Sequence, residues 1–99
     1  MIAHLKGKIL KKTDKGIILE NGNIGYFVHL TNILLSEIEE NQEIELFIHT
    51  HVKEDALNLY GFQVFQDLDF FNLLISINGI GPKVAMEILS VSPEKLKSA

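Results

Sequence analysis

An α+β fold, mainly β and then α, is predicted for this chain by three features. Short apolar runs separated by turn signals fill residues 2–62. From Val64 onward apolar residues recur instead at three- and four-residue spacing. The segment Gly79-Ile80-Gly81-Pro82 then interrupts one helical stretch and opens another. These features predict a five-stranded OB-type barrel over residues 1–62, with a short helical insert between its third and fourth strands. A truncated helix-hairpin-helix domain over 63–99 follows, represented by its first unit.

The elements follow in order. Ile2–Lys12 reads as an extended, lysine-decorated strand, and Thr13-Asp14-Lys15-Gly16 as a turn. Gly16–Glu20 is a short apolar strand. Asn21-Gly22 is a strong signal for a two-residue hairpin, because both central residues of a type I′ turn need positive φ. Gly25–Leu30 returns as the third strand. Thr31–Ile38 carries the helical insert, with Thr31 or Asn32 as its cap. Glu43 and Glu45 alternate with Ile44, Leu46 and Ile48, so Glu43–His51 has the period of a half-buried strand. Ala56–Phe62 is the fifth strand, after a tight connection at Lys53-Glu54-Asp55.

Val64, Phe65, Leu68, Phe71, Leu74 and Ile75 define an amphipathic helix over roughly 64–76. Pro82 starts the next helix at its first position, where the missing N–H does no harm. Val84, Ala85, Ile88 and Leu89 are expected to form that helix's buried face. Ser92-Pro93-Glu94 reads as a third helix start, and the two turns left before Ala99 suggest a chain cut short.

Composition excludes several classes. The chain has no cysteine, so disulfides and thiolate metal sites are ruled out. With 46% hydrophobic residues it can build a core. No leader is expected, and the apolar runs fall short of the ~20 residues that cross a bilayer, so a soluble cytoplasmic protein is expected, with no membrane partner. The net charge of −4 speaks against a nucleic-acid partner, but it is unevenly spread. Residues 1–30 hold Lys6, Lys8, Lys11, Lys12 and Lys15 against Asp14 and Glu20, whereas 31–62 hold seven acids against Lys53. Such a chain can present a basic face while remaining acidic overall; the plainer alternative is that these lysines are the solvated side of a strand.

The segment from Ile77 to Ala85 carries the most specific chemistry. Glycines at 79 and 81 permit unusual φ values and let a phosphate approach, and Ile80 is expected to point inward and lock the two helices together. The N–H groups of the turn and of the second helix's first turn lack intrahelical acceptors and form an anion site at the positive end of the helix dipole. Asn78, Gly79, Ile80, Gly81 and Lys83 are therefore the candidate DNA-binding residues. Contacts of this kind hold a duplex without reading its bases and weaken with salt. A dinucleotide fingerprint does not fit, since Val84 stands where a third glycine or alanine is wanted and no room remains for the rest of such a domain. A ligand-free helix–helix turn stays open as the simpler reading.

Glu54-Asp55 reads on residue grounds as a solvated turn. Shared metal binding is poor geometry for neighbours in an extended chain, whose side chains point to opposite faces. His49 and His51 share a strand face but have no third ligand at telling spacing, and His4 and His29 read as surface or packing residues. No catalytic motif occurs, and neither a metal nor a cofactor is expected.

Taken together, Met1-Ile2-x-x-Leu5-x-Gly7, Gly25-Tyr26-x-Val28, Glu54-Asp55-Ala56 with Leu59-Tyr60-Gly61-Phe62, and Asn78–Lys83 resemble, in the same order, the bacterial RuvA family, which grips four-way (Holliday) DNA junctions. The resemblance spans essentially the whole chain. It implies a non-enzymatic, structure-selective DNA-binding subunit of a branch-migration complex, acting in recombination and repair and assembled as a homotetramer with fourfold symmetry. It also implies that Glu54 and Asp55 form an acidic pin near the tetramer centre, repelling converging phosphates and so favouring junctions over continuous duplex.

The family's second helix-hairpin-helix, and the C-terminal domain that engages the hexameric ATPase motor RuvB, have no counterpart here. Weaker junction affinity and no stimulation of the motor are therefore expected of this chain. Every basic contact must come from lysine or backbone, because the chain has no arginine. Two other readings remain: a general DNA-binding module without junction preference, and an oligomerisation core with little DNA affinity.

Overall fold

The computed structural model describes residues 1–91, so the helix start expected at Ser92-Pro93-Glu94 lies outside the described residues. The elements are β1 (His4–Lys12), β2 (Gly16–Asn21), β3 (Ile24–His29), α1 (Asn32–Glu37), β4 (Glu43–Val52), β5 (Leu57–Phe62), α2 (Phe65–Ile75) and α3 (Pro82–Leu89). The five strands close into a barrel in the order β1-β2-β3-β5-β4. The β3–β5 pairing is parallel, setting Val28 opposite Leu59 and His29 opposite Tyr60. Alternate residues of the strands point inward, so Ile9, Ile17, Leu19, Val28, Leu46 and Leu59 make one apolar interior. Closure leaves no strand edge unpaired, which is the predicted OB-type arrangement.

Helix α1 adds Leu34, Leu35 and Ile38 to this interior. Its cap is Thr31, whose hydroxyl accepts the Leu34 N–H at 3.2 Å, and this decides between the two candidates. In the β2–β3 hairpin the expectation is off by one residue. The left-handed pair is Gly22 (φ 59°) and Asn23 (φ 67°), and Asn21 still pairs with Ile24 as a strand residue. The Asn21 amide instead donates to the Lys6 carbonyl at 2.6 Å. Asparagine tolerates the left-handed region, so Asn23 fills the second turn position without glycine. In β1, Leu10 is the extra residue of a bulge between Ile9 and Lys11, and it is left exposed.

The charge segregation along the sequence does not become a lysine-rich barrel face. Lys6 stands across from Glu45, and Lys8 across from Glu43 on one side and Glu20 on the other. Lys11 pairs with Glu40 at 3.8 Å, and Lys12 donates to the Ile38 carbonyl at 2.9 Å. Antiparallel pairing of β1 with β4 brings the basic and acidic segments of the chain side by side.

A second core lies outside the barrel, where α2 and α3 cover the outer faces of β4 and β5. It holds Tyr60, Phe62, Leu68, Phe71, Leu74 and Ala85. Phe71 is wholly buried, with its ring 5.1 Å from Phe62, 5.4 Å from Tyr60 and 5.2 Å from His49. Phe47 meets Phe65 edge-on at 5.3 Å. The buried stripe of α2 is narrower than its spacing predicts. Val64 caps the helix start and is exposed, and Phe65 is more than half exposed although one edge rests on Phe47.

His49 Nε2 is buried in this layer without a hydrogen-bond partner among the described residues. Burial holds the His49 imidazole below its ordinary pKa of 6.5; a charged His51 adds to the effect, and the Asn72 side chain partly opposes it. His29 is shifted the same way, by burial and by Lys15.

Phe71→Ala should therefore loosen the helical layer and lower stability by about 3–5 kcal/mol, read as a reduced denaturant midpoint. The depressed histidines set a second expectation. Folding favours their neutral forms, so their contribution is complete above about pH 6.5 and is lost as pH falls through the lower folded-state values. Melts across that range should show an acid-side loss of stability that His49→Leu reduces.

Candidate nucleic-acid interface

Helix α2 ends at Ser76, whose N–H donates to the Asn72 and Leu73 carbonyls, each at 3.2 Å. The Ile80 N–H then reaches back to the Ile77 carbonyl at 3.1 Å, and Gly79 takes φ +90°, a conformation that side chains rarely adopt. Ile80 packs against the second core, as the sequence predicts. Gly81 caps α3 from an extended conformation, and the first intrahelical bond runs from the Ala85 N–H to the Gly81 carbonyl at 3.0 Å. The N–H groups of Lys83 and Val84 thus have no acceptor inside the helix, and Pro82 has none to offer.

A methyl group added at Gly79 or Gly81 would meet nothing within 4 Å. Gly79 is explained by its φ. Gly81 has an ordinary φ of −92°, so neither backbone geometry nor packing requires glycine there. What a side chain at 81 would obstruct is approach from outside, to the open N–H groups at the start of α3. Asn78, Gly79, Gly81 and Lys83 are all exposed. Val84, expected in the buried face of α3, is 43% exposed instead. Only Ala85 is fully buried there, because α3 crosses α2 at that small residue.

Glu54 and Asp55 form the exposed tip of the β4–β5 hairpin, closed by the Lys53 N–H donating to the Ala56 carbonyl at 2.7 Å. They sit in a bend, the exposed turn between strands that the sequence predicts. Among the described residues neither carboxylate makes an ion pair or hydrogen bond, and no cluster of three metal-ligating side chains occurs. The His49 and His51 rings lie 5.9 Å apart, with His49 turned onto Phe71.

One groove of about 420 Å³ is lined by the barrel and by α3, though by neither the glycine turn itself nor Glu54 and Asp55. Lys83 lines it from α3, and Lys53, the residue before Glu54, lines it from the barrel. Lys15 and His29 line it too, and neither is singled out by the sequence reading. Their signal is weak, because the groove is assembled from the β1–β2 turn, the end of β3, the β4–β5 hairpin and α3, each ordinary by itself.

A closed five-stranded barrel carrying two helices joined through a Gly-Ile-Gly turn defines an OB-barrel protein with an appended helical hairpin. The family model described as the RuvA N terminal domain matches residues 1–61. A protein of Geobacter sulfurreducens named Holliday junction branch migration complex subunit RuvA is 45% identical over 101 residues, which cover all of this chain and 51% of that protein. The proteins of the same name from Rickettsia typhi and Thermus thermophilus are 42% and 41% identical, over 100% and 97% of this chain and 50% of each relative. The chain belongs to the RuvA family, and it spans about half the length of the curated relatives it matches. Among the described residues no helix is long and apolar enough to cross a membrane.

The two glycines should separate in a stability measurement. Gly79→Ala forces an L-residue to positive φ and should cost about 1–2 kcal/mol. Gly81→Ala should cost less, about 0.5–1 kcal/mol, since only the N-cap preference for glycine over alanine is lost. Thermal melts of the two variants side by side check this.

Proposed function

We propose that this chain binds four-way (Holliday) DNA junctions by their structure rather than their sequence, as the DNA-holding part of a branch-migration complex in recombination and repair. The observation that carries this reading is the groove that sets Lys83, in the first turn of α3, and Lys53, next to the acidic tip, on one surface. The names borne by the relatives support it.

In this reading the open N–H groups at the start of α3, Gly79 and Gly81 with their unobstructed approach, and the Lys83 ammonium together hold a backbone phosphate. Asn78 and Ile80 shape the turn that presents them. Glu54 and Asp55 act in the opposite sense. Exposed carboxylates without ion-pair partners among the described residues repel phosphates, so a continuous duplex laid across the tip is disfavoured and a junction whose arms diverge there is tolerated. The chain does no bond chemistry itself. Its assembly is a homotetramer that brings four such tips together, and the motor RuvB supplies the ATP-driven movement in the bacterial cytoplasm. Residues 1–62 form the OB-fold domain that carries the pin, and the first helix-hairpin-helix unit begins at residue 63.

A gel-shift titration against a four-way junction and a linear duplex of equal length, at low and moderate salt, tests the reading. Junction binding should be tighter and should weaken as salt rises. Glu54→Gln with Asp55→Asn should narrow the gap between junction and duplex, mainly by strengthening duplex binding. Gly81→Ala, expected to leave the fold intact at a small cost in stability, should weaken both complexes roughly fivefold by obstructing one phosphate contact. Equal affinity for both DNAs would leave a general DNA-binding module. No binding at any salt would leave an assembly core and overturn the proposal.

A further inference from the structure

We infer that Asn78-Gly79, inside the glycine turn, is a self-modification site at which the Asn78 amide is exchanged for a carboxylate. The attacking group is the Gly79 backbone nitrogen, and the product carboxylate weakens the turn's hold on phosphate. The chemical step is independent of any ligand, whereas its effect on DNA rests on the junction-binding reading.

An asparagine side chain closes on the next residue's backbone nitrogen where that nitrogen is unshielded, and glycine shields it least. The sequence has two such steps, Asn21-Gly22 and Asn78-Gly79; every other asparagine precedes a residue with a side chain of its own. Both steps are exposed, and a Cβ added at either glycine would meet nothing within 4 Å. They differ in what holds the asparagine. Asn21 ends β2, paired with Ile24, and its side-chain amide donates to the Lys6 carbonyl at 2.6 Å. That bond has to break, and the strand end has to open, before the side chain can close on Gly22. Asn78 lies in the turn between α2 and α3. Among the described residues its side chain makes no hydrogen bond and the Gly79 N–H has no backbone acceptor. The turn is closed by the Ile80 N–H donating to the Ile77 carbonyl at 3.1 Å.

The surroundings differ in charge as well. Ring closure builds negative charge, first on the Gly79 nitrogen as it gives up its proton, then on the oxygen of the attacked amide. At Asn78 this charge forms near the open N–H groups at the start of α3 and the Lys83 ammonium. Features that fit a phosphate thus also fit the charge that develops in this step. Around Asn21 the lysines Lys6 and Lys8 already face Glu45 and Glu20.

The step balances without a cofactor. Hydroxide takes the Gly79 N–H proton, the nitrogen bonds to Asn78 Cγ, and the Cγ–Nδ2 bond breaks, releasing ammonia with a proton from water. Water then opens the cyclic imide. Opening at Cγ gives aspartate; opening at the main-chain carbonyl gives isoaspartate, with the chain rerouted through Cβ. One water enters, one ammonia leaves, and nothing is oxidised or reduced. Either product sets a carboxylate where the turn would meet a phosphate, and isoaspartate also lengthens a turn fitted to Gly79 at φ +90°.

The experiment ages the intact chain in mildly alkaline buffer and follows amide-to-acid conversion at each asparagine by fragment-ion mass spectrometry. The same samples are titrated against a four-way junction. Asn78 should convert roughly tenfold faster than Asn21, which must first break its hydrogen bond. Junction affinity should fall in step with conversion at 78, by roughly tenfold when conversion is complete. The log–log salt slope should become shallower by about 0.9, the value for one lost phosphate contact. Asn78→Asp should show the weaker affinity without ageing. Asn78→Gln, whose longer side chain closes the ring far more slowly, should keep the affinity of its own fresh sample, whereas Asn21→Gln should decline as the parent does.

Conversion at Asn21 as fast as at Asn78 overturns the inference and leaves the junction reading intact, provided the fresh chain binds. Full conversion at Asn78 with unchanged affinity overturns it too, as does an equal decline in Asn78→Gln. If the fresh chain binds neither junction nor duplex, the junction reading falls, and the order of conversion alone decides the modification site.

Discussion

Phe71 is enclosed by Tyr60 and Phe62 of β5 and by His49 of β4, and through this aromatic seat the helical hairpin keeps one orientation on the barrel. The barrel's interior is complete without it. What depends on it is geometry: where α2 lies decides where the glycine turn and α3 project, and hence that Lys83 lines the same groove as Lys53. The strand side of the seat is made by residues on the outward face of the barrel, a face that alternation usually gives to solvent. The ends of β4 and β5 are aromatic there because a helix has to sit on them.

The electrostatics follow from pairing as much as from composition. Five lysines cluster early in the chain and seven acids follow in the next segment, which suggests a basic face set against an acidic one. The β1–β4 ladder instead sets Lys6 and Lys8 across from Glu45 and Glu43, so part of that charge is opposed at short range. What survives is local: a few cations around one groove, and two carboxylates at one hairpin tip. An acidic protein can approach a polyanion in this way, because at physiological salt a phosphate responds to charges within about 10 Å rather than to the molecular total.

Much of the architecture was legible in the sequence, because its signals are local. The alternation in β4, the threonine cap of α1, the change of period near residue 63 and proline at the start of α3 each specify a short stretch. The hairpin slipped by one residue because asparagine and glycine both enter the left-handed region, and the neighbouring strand register decides between Asn21-Gly22 and Gly22-Asn23. Val64, Phe65 and Val84 were misplaced because periodicity identifies an apolar stripe but not how much of it the neighbour covers. The glycine turn was legible as an anion site from residue types alone. The role proposed for Glu54 and Asp55 was not, since two acids in a turn look like any solvated bend, and only the family resemblance singles them out. Lys15 and His29 carried no signal, because their significance lies in a groove built from four separate segments.

The order of the strands has a consequence for how the chain assembles. β1, β2 and β3 form a meander from the first thirty residues, but its outer strands find their remaining partners only in β4 and β5. Until residue 62 is available, the nascent sheet has two unsatisfied edges, one along β1 and one along β3. A single β-hairpin then covers both at once, β4 against β1 and β5 against β3. These long-range pairings are entropically expensive and late, so the transition state for folding should be set by the arrival of this hairpin. The acidic tip is its turn. This exposed acidic pair thus sits on the unit that ends the sheet's exposure to strand-to-strand aggregation, and changes at the base of that hairpin should lower the yield of soluble protein before they affect any ligand.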